Sequence, residues 1–374
     1  MIKKFYYLNN CFHLNKMGIK NLHMFLRKKC SSIYNTIPIS TYSGKKIAID
    51  TSIYMCRYKS SLGNKWLSGF WNLIMEFSLQ NIEMIFIFDA KAPPEKDEER
   101  QHRAENREKN KKRVDLILDE FANYKIKYPS FSKETFLQNM TEFSNLYNFF
   151  EKQTDIETFT DVMNHVRKLQ NSIMMIRIED FDLLREMLDV MGIVYMNAFS
   201  EAEGTCAFLN RNQVVDAVLT EDTDVLAYLS PVMLHNYNIR DNTFVELKLD
   251  DILEKLSFTA PQFVDFCIMC GTDYNTNIPG IGPQKAYQIL LKKDNLEHVE
   301  TEKRYNTSVL NFVRVRELFK TSHYKINDNN SQREKIVKIN DVQNFCFHNN
   351  IDYNIRDVNT LFSSEKKNFH IINE

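Results

Sequence analysis

The chain has 374 residues, 43% hydrophobic and 26% charged, enough for roughly two or three domains that fold without staples. Its seven cysteines are odd in number and scattered, which fits a reducing compartment better than a disulfide framework. Apolar runs such as Ile85 to Phe88 fall far short of the roughly 20 residues a membrane span needs, and a net charge of −1 gives no global pull toward nucleic acid. Any such role must rest on a local basic surface.

The opening "MIKKFYYLNNCFHLNK", residues 1–16, carries lysines but breaks its apolar stretch at Asn9 and Asn10. It lacks the continuous core of a secretory signal and reads as an N-terminal extension of a protein that is not secreted. Next come two runs that read as buried strands ending in an acid: "KKIAID", closing on Asp50, and "IEMIFIFDA", closing on Asp89. Directly after Asp89, Pro93 and Pro94 suit a helix entry. Beyond them Lys96, Arg100, Arg103, Arg107 and Lys111 recur at spacings of four, three, four and four, one face of an α-helix. A solvated helix with pairs such as Glu99 to Arg103 explains a charge run in isolation. Beside clustered acids, the same face suits a grip on phosphate. "KNKKR" at 109–113 looks like an import patch but belongs with this helix.

Residues 114–170 have helical apolar spacing and many aromatics, as in "FLQNMTEFSNLYNFFEKQ", which predicts a packed helical insertion rather than a base platform. In "NAFSEAEGTCAFLN", Ser200 stands three residues before Glu203. That spacing predicts an N-cap at Ser200 and a capping box, with Glu201 favourably placed in the first turn. A third strand-like run, Val214 to Leu219, leads into "TEDTD", with Glu221, Asp222 and Asp224 in four positions. Turn and cap preferences account for one or two of these acids. "CGTDY" adds Asp273 in a glycine-containing turn, while Cys267 and Cys270 before it sit in an apolar helix-like run and read as core.

Strands of this kind, separated by helix-length segments, predict an α/β fold with a mainly parallel sheet. Ligands in such folds bind outside the carboxyl ends of the strands. Clustered acids raise one another's pKa unless a cation lies between them. Oxygen ligands suit Mg²⁺, with Mn²⁺ as a substitute, and the nine dispersed histidines form no zinc pattern. Two such ions about 4 Å apart activate water and stabilise the leaving oxygen in phosphodiester hydrolysis. Downstream, "IPGIGPQKAYQILLKK" joins Gly280 and Gly282 to an amphipathic helix carrying Lys285; the loop and helix N-terminus suit a phosphate of duplex backbone. Residues 294–374 are rich in Asn and Lys, with a linker near "NDNNSQRE" and helical patterning in "VQNFCFHNNIDYNIRDVNTLF" that can pack on the core. No terminal sliding-clamp peptide is recognisable.

Taken in order, "MGIKNL", "IAIDTS", "FIFDAKAPPEK", "SEAEGTCAFL", "TEDTDVLAY" and "GTDYNTNIPGIGPQKAYQIL" resemble the flap endonuclease branch of the XPG/Rad2-type structure-specific 5′ nucleases. The resemblance covers residues 17 to about 110 and 180 to 293. It divides the chain into the extension 1–16, an N-terminal nuclease region 17–110, a divergent arch or insertion 111–179, an internal nuclease region 180–293 and a C-terminal segment 294–374. It implies a PIN-like sheet flanked by helices, a helical arch, and a helix-two-turn-helix motif holding duplex DNA with K⁺.

Position by position, the resemblance makes Asp50, Asp89, Glu201 and Glu203 one metal-ligand group and Asp222, Asp224 and Asp273 the second, with Glu203 shared. Lys96 and Arg103 match the cations that steer the scissile phosphate. Gly18 matches the residue after the family's initiator, which makes Met17 an alternative start. Where the family carries an aromatic six residues past the first aspartate this chain has Cys56, so Tyr54 is the candidate for stacking on a base.

The expected activity is cutting of 5′-flap or related branched DNA in replication, repair or recombination, by a monomer or by a dimer on junctions. A 5′ exonuclease, a four-way-junction resolvase and a noncatalytic DNA-binding scaffold are the alternatives. Such a protein works in the nucleus or, for a viral member, at a cytoplasmic replication site; the Asn/Lys/Ile-rich character suits a large DNA virus.

Overall fold

Runs of Ile, Val and Phe that are apolar at every position belong in a sheet covered on both faces, and that is how the chain uses them. The computed structural model describes residues 18–129, 132–153, 155–320 and 337–362; the 1–16 extension, Met17 and the linker at 327–334 lie outside the described residues. Seven strands form one sheet: β1 (Asn35–Pro38), β2 (Lys46–Asp50), β3 (Glu83–Phe88), β4 (Val194–Asn197), β5 (Ala217–Leu219), β6 (Val232–Asn238) and β7 (Thr243–Lys248). Their spatial order is β1-β7-β6-β5-β2-β3-β4. From β6 to β4 neighbours run parallel, while β7 is antiparallel to both β6 and β1.

Helices fill the crossovers. α1 (Leu22–Lys29) precedes the sheet; α2 (Thr51–Leu62) and α3 (Trp66–Leu79) join β2 to β3. The long connection from β3 to β4 holds α4 (Asp97–Lys127), α5 (Lys133–Met140), α6 (Ser144–Phe150), α7 (Phe159–Asn171) and α8 (Ile178–Val190). α9 (Ala202–Arg211) leads to β5 and α10 (Asp224–Ala227) to β6. After β7 come α11 (Leu249–Leu256), α12 (Ala260–Cys270), α13 (Pro283–Lys293), α14 (Leu296–Glu300), α15 (Phe312–Phe319), α16 (Ile339–His348) and α17 (Ile355–Phe362).

Alternation along each strand divides the core. Ala48, Ile85, Ile87 and Val218 face a layer that includes α1, α9 and α11 to α15. Ile47, Ile49, Phe86 and Leu219 face the opposite layer of α2, α3, α8, α16 and α17. Val342, Phe345, Cys346 and Val358 are buried in that second layer, so the C-terminal helical patterning does pack on the core. Cys267 and Cys270 are fully buried free thiols, as an apolar run requires.

The insertion between β3 and β4 has a core of its own. α4 runs unbroken past residue 110, and Ile117, Phe121 and Tyr124 on its far half pack against Phe136, Leu146, Phe150 and Val162. The aromatics there pack on one another, as their spacing predicts. α7 then returns to α2, where Gly63 has a φ of +59° and a Cβ would lie 2.5 Å from Asn171 Oδ1. Only glycine fits that approach. The insertion is thus tied at both ends to the sheet's neighbourhood.

Candidate active site

β5, β2 and β3 are adjacent in the sheet, so the acids that follow them meet at one end of it. Asp50 closes β2 and caps α2, accepting from Ile53 N–H at 3.4 Å and from Thr220 Oγ1 at 2.9 Å. Asp89 follows β3 and accepts from Ala202 N–H at 2.8 Å. Asp222 lies just past β5; its Oδ1 accepts from Asp224 N–H at 2.8 Å, and its own N–H donates to Thr220 Oγ1. Gly18 closes over this turn with φ +75°, and a Cβ there would stand 2.2 Å from Asp222 Oδ1, so the position demands glycine. Asp50, Asp89, Glu201, Glu203 and Asp222 line a cleft of about 140 Å³ together with Cys56, Lys96 and Arg103.

The start of α9 differs from the sequence expectation. Its N-cap is Glu201, not Ser200, and the capping box with Glu203 does not form. Ser200 Oγ donates instead to Lys91 O, and the orphan N–H of Ala202 is satisfied by Asp89 from the end of β3. A carboxylate more than one hundred residues away does the work of the local cap.

The basic face also divides. Lys96 lies ahead of α4, in a short 3₁₀ turn spanning Pro94–Lys96, and is buried. Its Nζ donates to Glu201 and lies 3.0 Å from Asp273 Oδ2. Arg103 turns inward and holds Asp273 with both oxygens, at 2.7 and 2.8 Å, while pairing with Glu99 at 2.9 Å. The i,i+4 pair that explains a solvated helix is therefore real, and the inward contact coexists with it. Arg100, Arg107 and Lys111 remain exposed.

Lys96 and Arg103 are the cations that reach these seven carboxylates, and the imbalance appears in the acidities. Burial first, then Asp89 and Asp222, pushes Asp50 well above the usual carboxylate range. Burial likewise raises Glu203 and Asp224, the latter with added repulsion from Asp222 and Asp273. Asp222 is pushed up to about 6 by burial and by Asp273. Despite the desolvation that burial imposes, Glu203, Asp273 and Glu201 hold Lys96 protonated above its usual range. Asp224 Oδ1 is buried with no hydrogen-bond partner. A buried acceptor without a donor costs about 1–3 kcal/mol, so the site is poised for a cation.

All-oxygen donors of this kind suit a hard divalent ion. Among the described residues, no three His, Cys, Asp or Glu side chains stand together closely enough to hold a metal ion as they are placed.

Tyr274, Tyr228, Arg57 and the end of α1 are neighbours that no motif in the sequence singles out. Tyr274 donates to Glu201, and its hydroxyl lies 2.5 Å from that of Tyr228. Glu221 turns away from the cleft and accepts from Arg57 at 2.7 Å and from Asn236 N–H at 3.0 Å. Tyr54 is fully buried, with its hydroxyl 3.5 Å from Glu221, so it offers no face for a base to stack on. In the α12–α13 turn, Gly280 has φ +76°, Gly282 is the N-cap of α13, and neither would crowd a Cβ. Lys285 Nζ donates to Gly280 O at 2.9 Å. The basic end of α1 packs beside α13, with Lys29 Nζ 5.0 Å from the Tyr287 ring centre; the run "LRKK" was its sequence signal.

A mainly parallel sheet flanked by helices, with acids at its central strand ends, defines the PIN-like α/β class. The XPG N-terminal domain model matches residues 17–110 and the XPG I-region model residues 192–273. The probable RAD2-like endonuclease 076L of Invertebrate iridescent virus 3 is 33% identical over 341 residues, covering 81% of this chain and 85% of the viral protein. The catalytic core of Rad2 in complex with a DNA substrate superposes with a TM-score of 0.62 at 16% identity, over 92% of this chain and 98% of that one. Flap endonuclease-1 from Methanococcus jannaschii superposes with a TM-score of 0.56 at 19% identity, over 88% and 95%. The chain belongs to the XPG/Rad2 superfamily of nucleases.

Proposed function

We propose that this protein is a divalent-cation-dependent endonuclease that cuts 5′-flap or similarly branched DNA in replication, repair or recombination. One observation carries the reading: a surplus of buried carboxylates at the central strand ends, including the partnerless Asp224 Oδ1, with Lys96 of the 3₁₀ turn and Arg103 of α4 already reaching into it. Asp50, Asp89, Glu201 and Glu203 would hold one Mg²⁺ or Mn²⁺ ion and Asp222, Asp224 and Asp273 a second, with Glu203 shared. Ions held there supply nucleophile activation and leaving-group stabilisation for phosphodiester hydrolysis.

The chain's own cations do the rest. Lys96 and Arg103 sit on carboxylates in the DNA-free protein and exchange them for oxygens of the scissile phosphate, where they balance charge that develops in the transition state. Arg100, Arg107 and Lys111 stay exposed along α4 and steer the single strand past the cleft. The α12–α13 turn, with Gly280, Gly282 and Lys285, holds duplex backbone without reading sequence, and a K⁺ ion held there would add positive charge toward phosphate. Gly18 lets the chain lie close to Asp222, where the strand must pass. The protein acts as a monomer on flaps, at a nuclear or cytoplasmic site of DNA replication.

End-labelled 5′-flap, double-flap, nicked and four-way-junction DNAs, each with Mg²⁺ or EDTA, test this reading. Mg²⁺-dependent cutting near the flap base supports it. Preferential, symmetrical cutting of the four-way junction would replace it with a resolvase, and tight binding without cutting on any substrate with a scaffold.

A further inference from the structure

Helix α15 lies in the C-terminal stretch that no motif marks, yet it contacts a neighbour of each partner of the Lys96–Glu201 ion pair, Glu95 before Lys96 and Tyr274 beside Glu201. Phe312, Val315 and Phe319 form its buried face. Arg316 grips Asp265 of α12 through Nε and a terminal nitrogen, each at 2.6 Å, and bonds Glu297 of α14 as well. Asp265 is itself buried, so this fork fixes α15 on the α12–α14 unit.

From that anchor two arms extend. Arg314 Nε donates to Glu95 Oε1 at 2.7 Å, and Glu95 immediately precedes Lys96 in the 3₁₀ turn. Phe319 packs edge-on against Tyr228 and Tyr274, with ring centres 4.9 and 5.5 Å apart. Those two tyrosines meet at their hydroxyls, and Tyr274 donates to the Glu201 oxygen that Lys96 leaves free.

We propose that α15 is a positioning strut that fixes both ends of the Lys96–Glu201 pair, through Arg314 to Glu95 on one side and through Phe319 to Tyr274 on the other. This rests on the reading of Lys96 and Glu201 as parts of a cleavage centre. A long lysine chain has many rotamers, and a phosphate must find its ammonium in one place. Because α15 is also clamped to the helices proposed to hold duplex DNA, a duplex seated on α12–α13 meets a cleft whose Lys96 has a set position.

The test uses the full chain in two arms. In EDTA, pulse acetylation with acetic anhydride, read by mass spectrometry, measures how open Lys96 is relative to exposed Lys20. Single-turnover cleavage of a 5′-flap with Mg²⁺ measures the consequence.

Arg314→Ala and the volume-sparing Phe319→Leu are each expected to raise Lys96 acetylation by roughly threefold or more through local opening. Each should slow single-turnover cleavage by roughly tenfold, with the Kd for flap DNA unchanged. Arg314→Lys, which keeps the charge, should retain most of the protection. In a Lys96→Ala background the Arg314→Ala loss should vanish, because its arm acts through Lys96.

Acetylation of Lys96 at the wild-type rate in both variants overturns the proposal, as does a rate loss fully additive with Lys96→Ala. The labelling arm needs neither metal nor DNA. It therefore decides the strut even where the wild-type chain cuts nothing, a result that would sink the nuclease reading alone.

Discussion

Glu221 and Asp222 are consecutive residues with opposite surroundings. Glu221 points into a pocket where Arg57, Asn236 N–H and Tyr54 all meet it. Asp222 points into the cleft, beside Asp273, and shares Lys96 and Arg103 with the other carboxylates there. The first acid has a counter-charge beside it, Arg57, although burial still holds its carboxyl above the usual range. The second belongs to a group with more negative charge than the chain neutralises. Acid content alone does not mark a metal site; the shortage of partners does.

Breaking the cleft side of this contrast gives the largest expected effect. Asp222→Asn should lower the flap-cleavage rate by about 10³-fold or more. It should also raise the thermal midpoint in EDTA, because one buried, repelled carboxylate becomes neutral; circular-dichroism melts check this. On the other side, Arg57→Ala leaves Glu221 charged without its partner. It should cost about 2–3 kcal/mol in urea unfolding, with the cleavage rate per folded molecule retained.

The pH dependence sharpens the same comparison. Asp222 titrates near 6 in the fold against an ordinary 3.8, so the folded state holds its proton longer than the unfolded one. Its contribution to stability in EDTA therefore falls as pH rises from about 4 to about 6, and Asp50, Glu203 and Asp224 act in the same direction. Mg²⁺ should raise the melting midpoint more at pH 7.5 than at pH 5, by roughly a few degrees.

His23, stacked near His235 behind Glu221, has the opposite sign: burial and Arg27 lower it from 6.5 to about 4. Stability from that corner is present above pH 6.5 and is lost as pH falls toward about 4. Difference melting curves for Asp222→Asn and His23→Phe against wild type separate the two, and the His23 effect should be the smaller.

Much of the cleft was legible because its signals are local. β2, β3 and β5 end apolar runs with acids, and a parallel sheet brings such ends together whatever their separation along the chain. Partners set by tertiary contact were not legible. Nothing near Ala202 says that Asp89 will cap α9, so the local Ser200 cap was the expectation. Helical spacing placed Lys96 with Arg100, Arg107 and Lys111, but the 3₁₀ turn before α4 breaks that face and buries the lysine. Tyr54 lay at a plausible distance from Asp50 for stacking on a base, yet α2 turns it into the core. Tyr274 hid inside a motif read only for its aspartate. β6, parallel to β5, and the antiparallel pairings of β7 and β1 extend the sheet's far side, and their sequences lack the long apolar runs that mark β2 and β3.

In the proposed function the cleft, and not the Glu221 pocket beside it, is the divalent-cation nuclease centre. End-labelled 5′-flap DNA incubated with wild type, Asp222→Asn and Arg57→Ala, each in Mg²⁺ and in EDTA, tests it most directly. Cutting near the flap base is expected from wild type and from folded Arg57→Ala in Mg²⁺ alone, with none from Asp222→Asn in either condition. Cutting by Asp222→Asn at the wild-type rate, or by wild type in EDTA, would contradict it.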